Sequence, residues 1–239
     1  MTESAAPGNV HTPFLLAIEG IDGAGKTTLA RLFADALSHC GFDVVLSKEP
    51  TQGQFGQKLR QSAATGRMDP ELELDLLLRD RREHIEQLVG PALDGGKIVV
   101  LDRYYFSNAA YQGAEGLNPT SILAANESFA PRADLVILLD TAPETGLGRV
   151  RSRGDLPNYF ENRDTLARCR DIFNSIDRPE LRKVDASKTI DGVFSNSMHL
   201  FVIEFAEKMR QLHGFSVDAA ETLLPLLHGA YREHARAHA

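Results

Sequence analysis

Gly20-Ile21-Asp22-Gly23-Ala24-Gly25-Lys26-Thr27 decides the reading of this chain: a glycine, four residues, a second glycine, then Lys and a hydroxyl residue. That spacing is the phosphate-loop pattern. The preceding Phe14-Leu15-Leu16-Ala17-Ile18 is short and apolar, as a buried parallel strand should be. After the loop, Leu29, Leu32, Phe33, Ala36 and Leu37 recur at helical spacing. Strand, glycine turn and helix thus come in the order that anion binding needs. Glycines let backbone N–H groups approach a phosphate, and the helix N-terminus adds its positive dipole end. Lys26 is expected to reach the outer phosphates and Thr27 to supply a hydroxyl ligand to Mg²⁺.

The rest of the composition bounds the answer. A chain of 239 residues with 43% hydrophobic content can build one α/β domain with a small appendage. The net charge of −7 argues against a nucleic-acid-coating surface. No apolar run reaches the length of a membrane span. Met1–Thr12 lacks the basic start and apolar core of a secretory signal and reads as a polar leader. Cys40 and Cys169 are too few for a disulfide framework and fit a reducing cytoplasm.

Further along, Val44–Leu46, Lys97–Leu101, Leu135–Leu139 and Lys183–Ala186 read as strands, and helical patterns separate them. These expectations add up to an α/β fold with a five-stranded parallel sheet flanked by helices. The polar turn Lys48-Glu49-Pro50-Thr51-Gln52 follows the second strand, where open α/β sheets bind ligands. Asp69-Pro70 opens a helix whose face carries Leu74, Leu77, Leu78, Arg81, Ile85 and Leu88. On that apolar stripe Arg81 needs an anionic partner or an exit to water. Asp102-Arg103 ends the third strand, and can be either a plain ion pair or a metal-holding acid beside a phosphate-binding guanidinium. Arg149, Arg151 and Arg153 alternate before Gly154: a solvated basic loop, or a lid over the nucleotide. The acidity of the rest of the chain favours the lid. Val217–Arg236 continues as a further helical pattern after Gly214.

Glu19-Gly20-Ile21-Asp22-Gly23-Ala24-Gly25-Lys26-Thr27-Thr28, Glu49-Pro50, Asp102-Arg103-Tyr104-Tyr105 and Ala110-Tyr111-Gln112-Gly113 together resemble the thymidylate kinases. The likeness runs from about residue 13 to residue 212 and implies a P-loop NTPase fold that transfers the γ-phosphoryl group of ATP to dTMP. Carried over by position, Gly20, Ile21, Asp22, Gly23, Ala24, Gly25, Lys26, Thr27 and Thr28 would bind ATP phosphates, with Mg²⁺ at Thr27 and Asp102. Asp22, Glu49, Pro50, Leu77, Arg81, Arg103, Ser107 and Gln112 would face the acceptor. Lys26, Asp102, Arg103, Arg149 and Arg153 would be catalytic, and Arg151 would contact ATP, because the loop itself has no basic residue but Lys26. Asp185-Ala186-Ser187 resembles the turn near the adenine.

The chain departs from the family in four places. Lys48-Glu49-Pro50-Thr51-Gln52 replaces Arg-Glu-Pro-Gly-Gly, and Leu77 stands where a Phe usually stacks on thymine. Pro157-Asn158-Tyr159 replaces an Asp-Arg after the lid, and residues 213–239 extend past the usual end as an additional helix. The organisation expected is a flexible leader over 1–12, a kinase domain over 13–212 with a lid at about 149–160, and the appended helix. A cytoplasmic homodimer binding small nucleotides follows from the resemblance. Two rivals stand beside it: a deoxynucleoside kinase, or a kinase for another nucleoside monophosphate, and a nucleotide-gated binding protein. The last lacks support, since no Asn-Lys-x-Asp guanine-reading segment occurs.

Overall fold

The computed structural model describes residues 11, 13–65, 68–152, 162–213 and 225–231. Most of the leader, Gly66, Arg153, Gly154 and the Pro157-Asn158-Tyr159 stretch, and most of the C-terminal extension lie outside the described residues.

Strand β1 (Phe14–Gly20) is buried along its whole length, as a run of Phe, Leu, Ala and Ile at the middle of a parallel sheet must be. β2 (Val44–Lys48), β3 (Ile98–Asp102), β4 (Leu135–Asp140) and β5 (Leu181–Asp185) complete a five-stranded sheet in the order β2-β3-β1-β4-β5. Every neighbouring pair is parallel, as expected from the sequence. Helix α1 (Lys26–His39) starts after Gly25 in the left-handed region and ends where Gly41 takes φ 86°. Helix α2 (Gln54–Thr65) follows β2.

Helical spacing predicts one helix from Asp69 through Leu88, and here the structure differs. Asp69 does cap α3 (Pro70–His84), accepting from the Glu71 and Leu72 N–H groups. At Ile85–Val89 the backbone then widens into a π turn before the short α4 (Gly90–Asp94). Pro91 has no N–H to donate one turn back and its ring crowds that carbonyl, so the ladder opens before it. The buried face also differs from the expected apolar stripe. It carries Glu73, Leu77, Asp80, Arg81 and His84, while Leu74 and Leu78 are half-buried and Leu72 is exposed.

The second half of the fold contributes α5 (Tyr105–Ala114), α6 (Pro119–Glu127), α7 (Pro143–Ser152), α8 (Arg163–Ser175) and α9 (Ile190–His213). α1 and α9 cover one face of the sheet, joined by Phe33, Phe194 and Phe201 with ring centroids 5.7 Å apart in each Phe33 pair. α5, backed by α6 and α8, covers the other. Residues 225–231 are helical, within the expected C-terminal pattern, and bury Leu227, Ala230 and Tyr231. Among the described residues no helix is long and apolar enough to cross a membrane. Both cysteines are free.

Candidate functional site

The C-terminal ends of β1 and β3 bring the chemistry together. Gly20, Gly23 and Gly25 all adopt positive φ (141°, 80° and 101°), which turns the loop tightly between β1 and α1. Gly23 has a further reason to be glycine: a Cβ there would lie 2.1 Å from the Gly146 carbonyl oxygen on α7. Gly146 is equally constrained, since its own Cβ would come within 2.4 Å of the Asp22 carbonyl oxygen. The loop and α7 therefore touch backbone to backbone. One turn beyond Gly146, Arg149 reaches the Gly23 carbonyl at 3.4 Å and the Ala186 carbonyl at 2.9 Å. Arg151 is exposed, and Arg153 lies outside the described residues.

Lys26 donates to the Ile21 carbonyl at 2.8 Å and sits 3.9 Å from Asp22. Burial, then the charge of Arg103, pulls its ammonium down to about 8. Ile21 and Ala24 are buried, whereas Thr27 and Thr28 are exposed at the start of α1. The Thr27 hydroxyl donates to Asp102 Oδ2 at 2.5 Å. A hydroxyl and a carboxylate oxygen converging beside the loop are hard donors of the kind Mg²⁺ takes. No cluster of three or more His, Cys, Asp or Glu that could hold a metal by itself occurs among the described residues. The pair therefore fits an ion that takes its remaining ligands from phosphate and water.

Arg103 joins the loop to a cleft beside it. Its backbone lies at φ 74°, a conformation rare for a residue with a side chain and characteristic of functional sites. The guanidinium donates to Asp22, to Ser107 Oγ at 3.2 Å and to Tyr111 Oη at 3.5 Å. Burial alone would raise the Asp22 carboxyl, but Arg103 and Lys26 outweigh it and hold the group below the ordinary value. The cleft, of about 210 Å³, is lined by Asp22, Glu49, Pro50, Leu77, Arg81, Arg103, Ser107 and Gln112. Every residue expected on the acceptor side is thus brought to one place. A larger cleft of about 470 Å³ is lined by Thr27 and Asp102 and by none of these eight.

Arg81 finds the anionic partner its position demanded. It is 1% exposed and pairs through Nε and Nη2 with Glu49 Oε2, while Nη1 donates to Asn108 and Asn126. His84 Nδ1 lies 3.0 Å from Glu49 Oε1, and His84 Nε2 lies 2.8 Å from Ser47 Oγ. Burial pushes the Glu49 carboxyl up, but Arg81 and His84 reverse this and leave it lowered. The turn after Glu49 is held by Asp80, which accepts from Thr51 N at 2.8 Å and Thr51 Oγ1 at 2.6 Å. Of the neighbouring arginines on α3, Arg79 is exposed and pairs with Asp75, while Arg82 lies over the Phe129 ring at 4.1 Å.

Four participants escape sequence reasoning. Arg60 of α2 lines the cleft and donates to the Pro50 and Thr51 carbonyls at 3.1 and 2.6 Å. Glu73 lines it too, 3.4 Å from Gln112 Nε2. Gly146 is recognisable only from its contact with the loop. The fourth is Glu19, fully buried at the end of β1. Its Oε1 accepts from Tyr104 N at 2.9 Å and Ser107 N at 3.0 Å, and its Oε2 accepts from Ser107 Oγ at 2.5 Å. It thereby ties β1 to the first turn of α5, the element that presents Ser107, Tyr111 and Gln112.

Burial raises the Glu19 carboxyl from 4.5 to about 7. Between those values the folded chain holds a proton that the unfolded chain has released, so stability falls as pH rises through the window. Glu19→Gln removes the titration. Urea unfolding at pH 4.5 and 7.5 should show the variant gaining about 3 kcal/mol on the parent across that interval. An unchanged difference between the two proteins would remove Glu19 from this role.

The site can hold a nucleotide triphosphate on the loop and a second anionic ligand in the cleft, with Arg103 between them. The family model described as thymidylate kinase matches residues 18–196. A thymidylate kinase of Xanthomonas campestris pv. campestris is 53% identical over 227 residues, covering 95% of this chain and 97% of the relative. One of Xanthomonas oryzae pv. oryzae is 50% identical over 227 residues. One of Xylella fastidiosa is 54% identical over 186 residues, 78% of this chain and 85% of the relative. With the family model spanning most of the chain and relatives of about 50% identity covering nearly all of it, the chain belongs to the thymidylate kinase family.

Proposed function

We infer that this chain transfers the γ-phosphoryl group of ATP to dTMP, giving dTDP and ADP. The observation that carries this reading is the position of Arg103, bonded at once to Asp22 of the loop and to Ser107 of the cleft wall. A guanidinium there suits an acceptor that arrives as a phosphate, and so favours a nucleoside monophosphate over a deoxynucleoside. Deeper in the cleft, Gln112 Oε1 is buried without a partner among the described residues. It suits a base N–H, such as that of thymine. Leu77 supplies an apolar wall where the family has an aromatic one.

An oxygen of the acceptor phosphate forms the new P–O bond while the bond from Pγ to the β-phosphate bridge oxygen of ATP breaks. The acceptor's phosphate is already ionised, so positioning and charge neutralisation carry the catalysis. Backbone N–H groups of Gly20–Thr28 and Lys26 hold the donor phosphates, and Arg103 holds the acceptor phosphate. Thr27 and Asp102 would hold Mg²⁺, which neutralises charge on the transferring group when bound. ADP release with dTMP but not with thymidine tests the reading. Equal release with both, or release with neither, overturns it.

Arg149 is the lid arginine best placed to act, because it already touches the loop, whereas Arg151 is exposed. Arg149→Ala should lower kcat by about a hundredfold, and Arg151→Ala by less than about threefold. Arg153 is expected to fall with Arg149. Uniformly small losses in steady-state assays of the three variants would defeat the lid assignment. We propose a kinase unit over 13–212, with a lid at about 149–160 and an additional C-terminal helix over 213–239. The setting is cytoplasmic, and the half-buried and exposed leucines of α3 suit a homodimer, which a light-scattering mass reports.

A further inference from the structure

The C-terminal segment 225–231 packs against the start of α9, next to the donor side of the site. Tyr231 stacks on Phe194, with ring centroids 4.1 Å apart and planes 17° from parallel. Its hydroxyl donates to Asp191 in the first turn of α9. Phe194 is fully buried and meets Phe33 of α1, the helix that begins at Lys26. Aromatic contacts therefore run from the appended segment to the helix that carries the phosphate loop.

The turn between β5 and α9 is pinned at its upstream end by Ala186. Its N–H donates to the Asp140 carbonyl at 2.9 Å, and its carbonyl accepts from Arg149 at 2.9 Å. Arg149 in turn reaches Gly23, so the turn flanks the loop on the side of α7, away from the cleft lined by Ser107 and Gln112. Downstream, Ser187–Ile190 are exposed, Thr189 caps α9 by accepting from the Gly192 and Val193 N–H groups, and Tyr231 engages Asp191 and Phe194 of the same helix start. A wall whose helix end was free to shift would have to order itself on binding, at a cost in affinity.

We propose that Tyr231 is a positioning residue for the donor nucleotide, through which the C-terminal segment braces the β5–α9 turn as a preformed wall for the nucleoside of ATP. The proposal rests on the kinase reading for which side of the loop the donor takes. Burial pushes the Tyr231 phenol up to about 12, so it stays a hydrogen-bond donor at neutral pH.

Isothermal titration of the full chain with ADP and, separately, with dTMP tests it. Tyr231→Ala should weaken ADP binding by roughly three- to tenfold and leave dTMP binding within about twofold. Tyr231→Phe keeps the stack and loses only the bond to Asp191, so it should give a smaller loss of the same selectivity. It serves alone if the Ala variant does not fold. In steady state the KM for ATP should rise while the KM for dTMP and kcat hold. ADP affinity per folded molecule that is unchanged in both variants would make Tyr231 a packing residue only. Equal losses for ADP and dTMP would mark a general structural role, and either result overturns the proposal. A parent chain that binds neither nucleotide would sink the kinase reading itself, and this proposal with it.

Discussion

Lys26→Ala should lower kcat by about a thousandfold or more while the protein stays folded. The side chain is buried and its ammonium is held by one carbonyl, Ile21 O, beside the carboxylate of Asp22. Taking up a triphosphate means exchanging that carbonyl for phosphate oxygens, whose negative charge peaks as the γ-phosphoryl group departs. The stabilisation is thus greatest in the transition state, which is why the loss belongs in kcat. Removing a buried charge also relieves a desolvation cost, so the melting temperature should hold or rise. Turnover within about tenfold of the parent, measured as dTMP-dependent ADP release, would show that the loop does not work as described.

Arg81→Met carries the largest expected loss of stability, about 3–5 kcal/mol. The substitution leaves Glu49 buried with the His84 ring as its remaining side-chain partner among the described residues, and strands the side-chain carbonyl oxygens of Asn108 and Asn126. In a chain of this size each kcal/mol moves the melting temperature by about 2–4 °C, so the effect is easily read by calorimetry. The double variant Glu49→Gln/Arg81→Met should be more stable than Arg81→Met alone, because no unpaired charge remains inside. A double variant as unstable as the sum of the singles would show that Glu49 and Arg81 are not an energetically coupled pair.

What could be read from the chain alone follows from what is local. The loop is contiguous, and its glycines, Lys26 and Thr27 declare themselves by spacing. Asp102-Arg103 declares itself by standing at the end of an apolar strand. Arg81 was conspicuous because a guanidinium interrupted a leucine stripe, yet its partner Glu49 is 32 residues away and no local pattern names it. Glu19 is harder still: it adjoins the loop, but its role depends on Ser107, 88 residues further on. The buried acids of α3 are hidden because periodicity reports where leucines fall, while the fold buries the adjoining face, which shares only Leu77 and Arg81 with that stripe. The π turn was hidden because Pro91 acts on residues before it.

The central place of β1 has a consequence for how the chain is made. Its neighbours are β3 and β4, neither of them adjacent in sequence, and the Leu15 N–H is satisfied by Asp134, 119 residues downstream. At roughly 5–20 residues per second of translation, the first strand waits about 6–24 seconds before its last partner exists. Throughout that interval a strand apolar in all but Glu19, with two open edges, has left, or is leaving, the ribosome. Prematurely terminated chains ending before Leu135 should therefore be held by chaperones or degraded, whereas chains released after β5 can close the sheet on both sides at once.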